Sequence, residues 1–480
     1  MTDIGVQDCS ILKKSFRLWL LSAAVVCAGG CKHFEARPLT GDRAAAAFQS
    51  RSLNDPGLRD FMATNVPTLA SNWPPSSWDF PLLTLAALYY HPDMEVARAK
   101  LEAADAAVIT AGARPNPSVA FSPSYSGQPL EFFSPWTLGF TLDVPIETAG
   151  KRGYRIAQAR HLANSAALNV ASTAWQIRTA VRSSLVDLYA ANLTQEVLMK
   201  QQDAQNQIVG LLEARLKAGQ SSLPELQSVR TAAAQTALQL RESEKQRAQA
   251  RVHLAEALGL PVNALDGITL TFAAFADLPD TESAGSLRRE ALQNRPDLLG
   301  ALAEYEASQS ALQLEIARQY PDIHVGPGYA WNQGVNNYSL DFSLMLPVLN
   351  QNQGPIAEAG AQRHEAAARF TALQARVINE VDAALAGYRD TRLKLAAADT
   401  PLAGAQQRMG SVQASFDGGA ADRLELLQTK SELHASELAR TAVLVESQQA
   451  LGLLEDAMQR SSEAVGESTP PPPSIHTKSK

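Results

Sequence analysis

The chain repeats itself. Pro92, Asp93, Glu102, Arg114 and Pro117 recur 204 positions on as Pro296, Asp297, Glu306, Arg318 and Pro321, and Ala87, Leu88, Ala97, Ala103, Ala107 and Ala113 recur with them. Further along the register drifts: Pro145 meets Pro347, Gly219 meets Gly419, and Glu225 meets Glu425. Alanine coincidences arise by chance in an alanine-rich chain, but aligned Pro, Asp and Gly positions do not. A plan written twice restricts the fold to two copies of one supersecondary unit, packed on each other.

Each copy opens with a helix, at about Pro92 to Ala113 and Pro296 to Gln319, with Pro in the first turn and Asp beside it, where the helix N-terminus favours both. The hydrophobic period then changes to two. Val119, Phe121 and Tyr125 share one face of Ser118 to Tyr125. Leu138, Phe140, Leu142 and Val144 oppose Thr137, Gly139, Thr141 and Asp143. In the second copy Ile323, Val325, Tyr329 and Trp331 oppose His324, Gly326, Gly328 and Ala330. Tyr338, Leu340, Phe342, Leu344 and Leu346 oppose Ser339, Asp341, Ser343 and Met345. These are four strands of about nine residues, each half apolar and half small or polar. Pro123 and Pro327 are expected to interrupt the first strand of each pair.

Very long helices follow. Gly150 to Gly219 contains no proline and predicts a helix of roughly 100 Å at 1.5 Å per residue. A return helix is expected from Leu223 to Leu258. In the second copy the outgoing helix starts near Pro355, is expected to break at Pro401, and turns at Asp417 to Asp422 before a return from Arg423 to Met458. Gly219 and Gly419 supply the positive φ that such turns need. No compact domain needs helices of this length.

All three cysteines lie in the first 31 residues, around basic Lys13, Lys14 and Arg17 and the apolar run Leu18 to Ala28. That pattern is a secretory leader, too short in its apolar run to span a bilayer. Gly29 and Gly30 before Cys31 resemble a lipobox, which makes Cys31 the lipidation candidate; plain export with cleavage near Gly30 is the alternative. The mature chain then holds no cysteine pair, which excludes disulfides and thiolate chemistry. The net charge of −7 offers no footprint for nucleic acid. The eight histidines are scattered singly, and no catalytic constellation or nucleotide-binding loop appears, so no metal site, no cofactor and no enzymatic activity are expected.

Strands of this length with one apolar and one polar face suit a tilted outer-membrane barrel, and Tyr125, Phe132, Phe133, Trp136, Tyr329, Trp331 and Tyr338 cluster where an aromatic girdle would lie. Four strands cannot close, and open edges are not tolerated in lipid, so several chains must share one barrel. A soluble four-stranded sheet on the helices would leave their length unexplained.

Three segments now match a known family. Leu287-Arg-Arg-Glu-Ala-Leu-Gln-Asn-Arg-Pro-Asp297 resembles the opening-helix motif of the TolC-type outer-membrane efflux channels. Val144-Pro-Ile-Glu-Thr-Ala-Gly-Lys-Arg152 resembles the strand-to-helix junction of their heavy-metal cation branch. Arg215-Leu-Lys-Ala-Gly-Gln-Ser-Ser-Leu-Pro-Glu-Leu226 resembles their periplasmic tip. The resemblance, over Phe80 to Met458, implies a mainly α fold with a β-barrel part: four transmembrane strands per chain, a twelve-stranded barrel shared by a homotrimer, and an α-helical periplasmic tunnel. It implies a channel in outer-membrane lipid that conducts small toxic solutes, heavy-metal cations or drugs, delivered by a periplasmic adaptor and an inner-membrane pump of the RND type. The expected organisation is a signal peptide (1–30), a lipidated segment (31–79), the first repeat (80–260), a connector (261–285), the second repeat (286–460) and a disordered proline-rich tail (461–480).

At the tip, Ser222 to Glu225 and Asp422 to Glu425 both have capping-box spacing, so Glu225 and Glu425 could be helix caps alone. The resemblance adds a second role for them as carboxylates ringing the tunnel entrance, with Gly219, Gln220, Ser221 and Gly419 as adaptor contacts. Lys151 and Arg152 read as solvated helix charges. Two other functions remain open from sequence: a coiled-coil lipoprotein tether on the outer membrane, and a protein-secretion duct.

Overall fold

The computed structural model describes residues 34–65, 73–127, 134–280, 282–332 and 334–460. The leader, Cys31, Phe132, Phe133 and the proline-rich tail fall outside them. Of the described residues, 34–50 belong to a separate unit, in which helix α1 (Gly41–Gln49) buries none of its side chains. The rest concerns the unit that begins at Arg51.

The duplication is present element for element. The first copy runs α3 (Phe80–Tyr90), α4 (Pro92–Gly112), β1 (Ser118–Tyr125), β2 (Trp136–Ile146), α5 (Lys151–Lys217) and α6 (Leu223–Leu258), after the short α2 (Pro56–Asn65). The second runs α7 (Ala284–Asn294), α8 (Pro296–Ala317), β3 (Ile323–Asn332), β4 (Val335–Leu344), α9 (Gln353–Asp417) and α10 (Arg423–Met458). Helices α5 and α9 hold 67 and 65 residues, so each is roughly 100 Å long.

Each copy has its own core. In the first, Leu83, Val181, Leu185, Leu254 and Leu258 are fully buried, and Leu53, Leu58, Met62 and Trp78 from ahead of the repeat pack into the same cluster. In the second, Leu298, Val377, Val381, Leu385 and Tyr388 form the equivalent cluster with Leu451 and Leu454. The connector ties them: Phe275 sits in the first core, while the Tyr388 hydroxyl donates to the Pro279 carbonyl at 2.7 Å. Between copies, Arg178 and Arg182 of α5 meet buried Glu455 of α10 at 3.1 and 3.3 Å, and Arg182 also donates to the Gln448 carbonyl. Such a pair contributes specificity more surely than stability, because both charges lose water on burial.

Two sequence expectations fail. Pro401 does not break α9, which is continuous through it. The proline removes one backbone donor, but α10 holds α9 on either side of it, through Asp399 to Arg440 at 2.6 Å and Arg408 to Glu432 at 3.6 Å, and Ala405 is buried between. Nor do Pro123 and Pro327 interrupt their strands. Each keeps its hairpin partner, Leu138 and Leu340, and the gap in the ladder falls on the other side of β3, opposite Leu142 and Asp143. A strand tolerates proline where the lost N–H is not needed by its hairpin mate.

Candidate functional site

The sheet has strand order β1-β2-β3-β4, all antiparallel, with β1 and β4 at its edges. Its register puts most apolar side chains on one face and most small or polar ones on the other, with Asn336 on the apolar face and Val335 on the polar one as exceptions. Val119 faces Leu142, Phe121 faces Phe140, Phe140 faces Tyr329, Val325 faces Phe342, and Tyr329 faces Tyr338. The opposite face carries Ser118 with Asp143, Thr141 with Gly328, His324 with Ser343, and Gly326 with Asp341. On the apolar face Phe121, Phe140, Leu340 and Phe342 are all exposed. Tyr125 and Trp136, with ring centroids 5.1 Å apart, and Tyr329 and Tyr338, at 5.5 Å, lie toward the hairpin ends of that face. On the polar face His324 Nδ1 lies 3.1 Å from the Asp143 carboxylate. Among the described residues, no helix is long and apolar enough to cross a membrane.

Where β2 becomes α5, the structure corrects the reading of Lys151 as a solvated charge. Lys151 is buried, and its ammonium donates to the Tyr320 carbonyl at 2.6 Å and to Asp322 Oδ1 at 2.7 Å. The Thr148 N–H donates to the same carboxylate oxygen, and its hydroxyl to the Pro321 carbonyl. Burial by itself raises the Asp322 pKa, but Lys151 and the Thr148 N–H outweigh it and hold the carboxyl below its usual value. Arg152 donates to the Gly112 carbonyl and Arg155 to Glu147. The first junction therefore grips the start of β3. No charge period in α5 announces this, since the partners lie 169 and 171 residues on, between α8 and β3 of the other repeat.

At the far end, the α5–α6 and α9–α10 hairpins turn alike. Gly219 and Gly419 adopt φ of 71° and 77°, and the residue after each closes back to a carbonyl five positions earlier, Gln220 to Arg215 at 2.8 Å and Ala420 to Ser415 at 2.7 Å. This is the Schellman closure, which satisfies carbonyls that the helix end leaves free. Ile208, Leu212, Leu226 and Leu427 form a small core that places the two tips side by side. Glu225 and Glu425 are exposed in the first turns of α6 and α10.

The capping boxes are only partly realised. Ser222 caps α6 by accepting from the Glu225 N–H at 3.4 Å, while the Glu225 carboxylate accepts from the Ser221 hydroxyl at 2.8 Å. Asp422 makes no side-chain cap; it pairs with Arg215 of α5, and that guanidinium holds its carboxyl below the usual range. Sequence reading missed this pair, because a residue at a cap position offers no hint that its partner lies on a helix of the other repeat.

Comparisons with known proteins fit this geometry. The family described as outer membrane efflux protein matches residues 84–260 and 287–458, the two repeats themselves. The cobalt-zinc-cadmium resistance protein CzcC of Cupriavidus metallidurans is 24% identical over 325 residues, 66% of this chain and 76% of that protein. The pyoverdine export outer membrane protein OpmQ of Pseudomonas aeruginosa is 23% identical over 399 residues, 76% of this chain and 82% of its own. The crystal structure of the outer membrane protein VceC from Vibrio cholerae superposes with a TM-score of 0.64 at 19% identity, covering 80% of this chain and 96% of VceC.

Proposed function

This chain belongs to the outer membrane efflux protein family, and from that premise we infer how it works as the outer-membrane channel of a tripartite export system. One observation carries the reading: a sheet with one mainly apolar and one mainly small or polar face leads into helices of 67 and 65 residues. A tether has use for the helices but none for the segregated sheet. Three copies supply twelve strands, lipid covers the apolar face, and Asp143, His324, Asp341 and Ser343 line the lumen. The helices carry the duct through the periplasm, and an adaptor docks at Gly219, Gln220, Ser221 and Gly419 to join it to an RND-type pump. Cleavage leaves Cys31 as the lipidated first residue, which mass spectrometry of the mature N-terminus would reveal; an unmodified terminus beyond residue 31 would leave an ordinary signal peptide.

The organisation follows the repeats: 80–260 and 286–460 each contribute one barrel hairpin and one tunnel hairpin, joined by 261–285. The solutes are small, as in the cobalt-zinc-cadmium resistance and pyoverdine export for which two relatives are named. Divalent heavy-metal cations are the class an acidic entrance favours. Three copies bring six carboxylates from Glu225 and Glu425 to the tip, which raises the local cation concentration and disfavours anions. Single-channel recording in planar bilayers tests both levels. The wild type should conduct with cation preference, and Glu225→Gln with Glu425→Gln should reduce that preference while the Ser222 cap persists. An unchanged preference reduces the two carboxylates to surface charges; a protein that forms no channel sinks the whole reading.

A further inference from the structure

Buried polar atoms are normally paired, yet among the described residues five side-chain atoms are not: Oε1 of Gln201, Gln202, Gln205 and Gln459, and Nε2 of His434. Four of the five lie at one level of the helix bundle. Gln201, Gln202 and Gln205 belong to α5, where spacings of three and four residues turn them toward one patch of its surface. His434 belongs to α10, which packs along α5. Two cross-repeat bonds fix how these helices run past each other: Gln449 with Asp187, and Arg215 with Asp422 toward the tip. Midway between those bonds stands Gln201 on α5, and on α10 Ala435 and Ser436, beside His434. The Lys200 ammonium is held above its usual pKa first by its bond to Glu196, and the Glu437 carboxylate of α10 adds to it, so the two helices meet at this level.

All four atoms are acceptors. His434 is 6% exposed and Gln205 7%. His434 Nδ1 stands 2.9 Å from Glu437 Oε2, and a carboxylate only accepts, so Nδ1 carries the proton of the neutral ring and Nε2 keeps its lone pair. The Gln202 amide nitrogen donates to Asn206 at 3.0 Å, which leaves its oxygen as the unpartnered end. The charges around the layer are already paired: Lys200 with Glu196, and toward α9 Arg440 with Asp399 and Glu432 with Arg408. Between those last two pairs α9 buries only Ala405. Buried acceptors without a donor are costly to keep unless something positive enters. One water has two protons to offer, too few for four acceptors.

We propose that this level binds one first-row divalent cation, zinc, nickel or cobalt(II), between the two repeats. His434 Nε2 is the nitrogen ligand, Gln205 is the buried oxygen ligand from α5 with Gln201 and Gln202 beside it, and Glu437 is a positioning residue. A metal-binding histidine characteristically donates its other ring N–H to a carboxylate, which is how Glu437 holds His434. One imidazole with neutral oxygens suits these cations, whereas calcium and magnesium ask for carboxylates. Among the described residues no three His, Cys, Asp or Glu side chains gather for a metal, so the amide oxygens complete the set and the affinity is modest. Filling the site ties the second repeat to the first just behind the small core of the tip.

The site needs only the packed helices, so it stands or falls apart from the channel reading. The test is equilibrium dialysis of the full-length chain, stripped with chelator in mild detergent, against zinc chloride from micromolar to millimolar. The wild type should hold one more zinc per chain than His434→Ala; the other histidines are common to both and cancel. Glu437→Gln should weaken that extra site about 10–100-fold, as loss of a carboxylate behind a ligating histidine does. Gln205→Leu should weaken it several-fold, and it carries the test if His434→Ala does not keep the helix content of the wild type. Zinc should also raise the thermal transition of the wild type and leave that of His434→Ala where it was. Equal zinc binding in the wild type, His434→Ala and Gln205→Leu overturns the site. Loss with His434→Ala alone, while Gln205→Leu and Glu437→Gln bind like the wild type, reduces it to a lone imidazole and overturns the shared ligation.

Discussion

The two halves follow one plan, yet the second is held from within where the first is held by its neighbour. Arg295, just before α8, is buried and donates to Asp297 at 2.7 Å, to Glu380 at 3.0 Å and to the Ala457 carbonyl at 2.7 Å. Its equivalent in the first half is His91, whose Nδ1 accepts from the Asp93 N–H at 3.3 Å and lies 3.8 Å from the Asp93 carboxylate. At the strand-to-helix junctions the order reverses. Lys151 grips Asp322 across the repeats, and its equivalent Gln353 makes one local bond, accepting from the Gln351 N–H. A repeat therefore preserves the backbone path while each copy chooses its own polar anchors, according to what stands next to it.

That comparison can be broken in three places. The largest effect is expected at Arg295. Replacing it with Ala leaves Asp297 and Glu380 without their counter-ion and a buried carbonyl without a donor, at a cost of about 3 kcal/mol or more. His91→Ala removes a weak cap and should cost about 0.5–1 kcal/mol. Thermal dissociation of the assembled protein compares them; equal losses would mean that the two positions do the same job after all.

Next come the faces of the sheet. Phe342→Arg should cost about 2–4 kcal/mol if the site meets lipid near the midplane, and Ser343→Arg on the opposite face far less, measured by equilibrium folding into vesicles. Equal tolerance would deny that one face is lipid-covered.

The smallest expected difference is at the junctions. Lys151→Met strips two hydrogen bonds from a charged donor and should cost roughly 1–3 kcal/mol, whereas Gln353→Met should be close to neutral. The clasp also predicts a pH dependence. Because the Asp322 carboxyl titrates below its ordinary value of 3.8 when folded, its contribution is complete above that value and fades as pH falls through the depressed one. An acid-stability profile that Lys151→Met leaves unchanged would remove Asp322 from the account. Part of the pair faces water, so the effect is damped by screening.

Much of this architecture was legible before any coordinates. The period of two in Leu138 to Val144 and in Tyr338 to Leu346 marks both the strands and their faces. The glycines at 219 and 419 mark the tips within a residue or two, because each sits where only a left-handed backbone closes the turn. The alternation even ran past the observed end of β4, to Leu346, since a hydrophobic period marks a face and not the residue at which pairing stops.

What the sequence determined by itself was whatever is written locally: helix and strand from the 3.6- and 2-residue periods, turns from glycine and proline, and the duplication that orders them. Only the tertiary structure decided that α9 runs through Pro401, that Pro123 and Pro327 stay within their strands, that Lys151 is buried on Asp322, and that Asp422 answers Arg215 instead of capping its own helix. Each of these depends on a partner far along the chain. A proline's missing donor or a lysine's charge is costly or harmless according to what packs against it, and no local period encodes that neighbour.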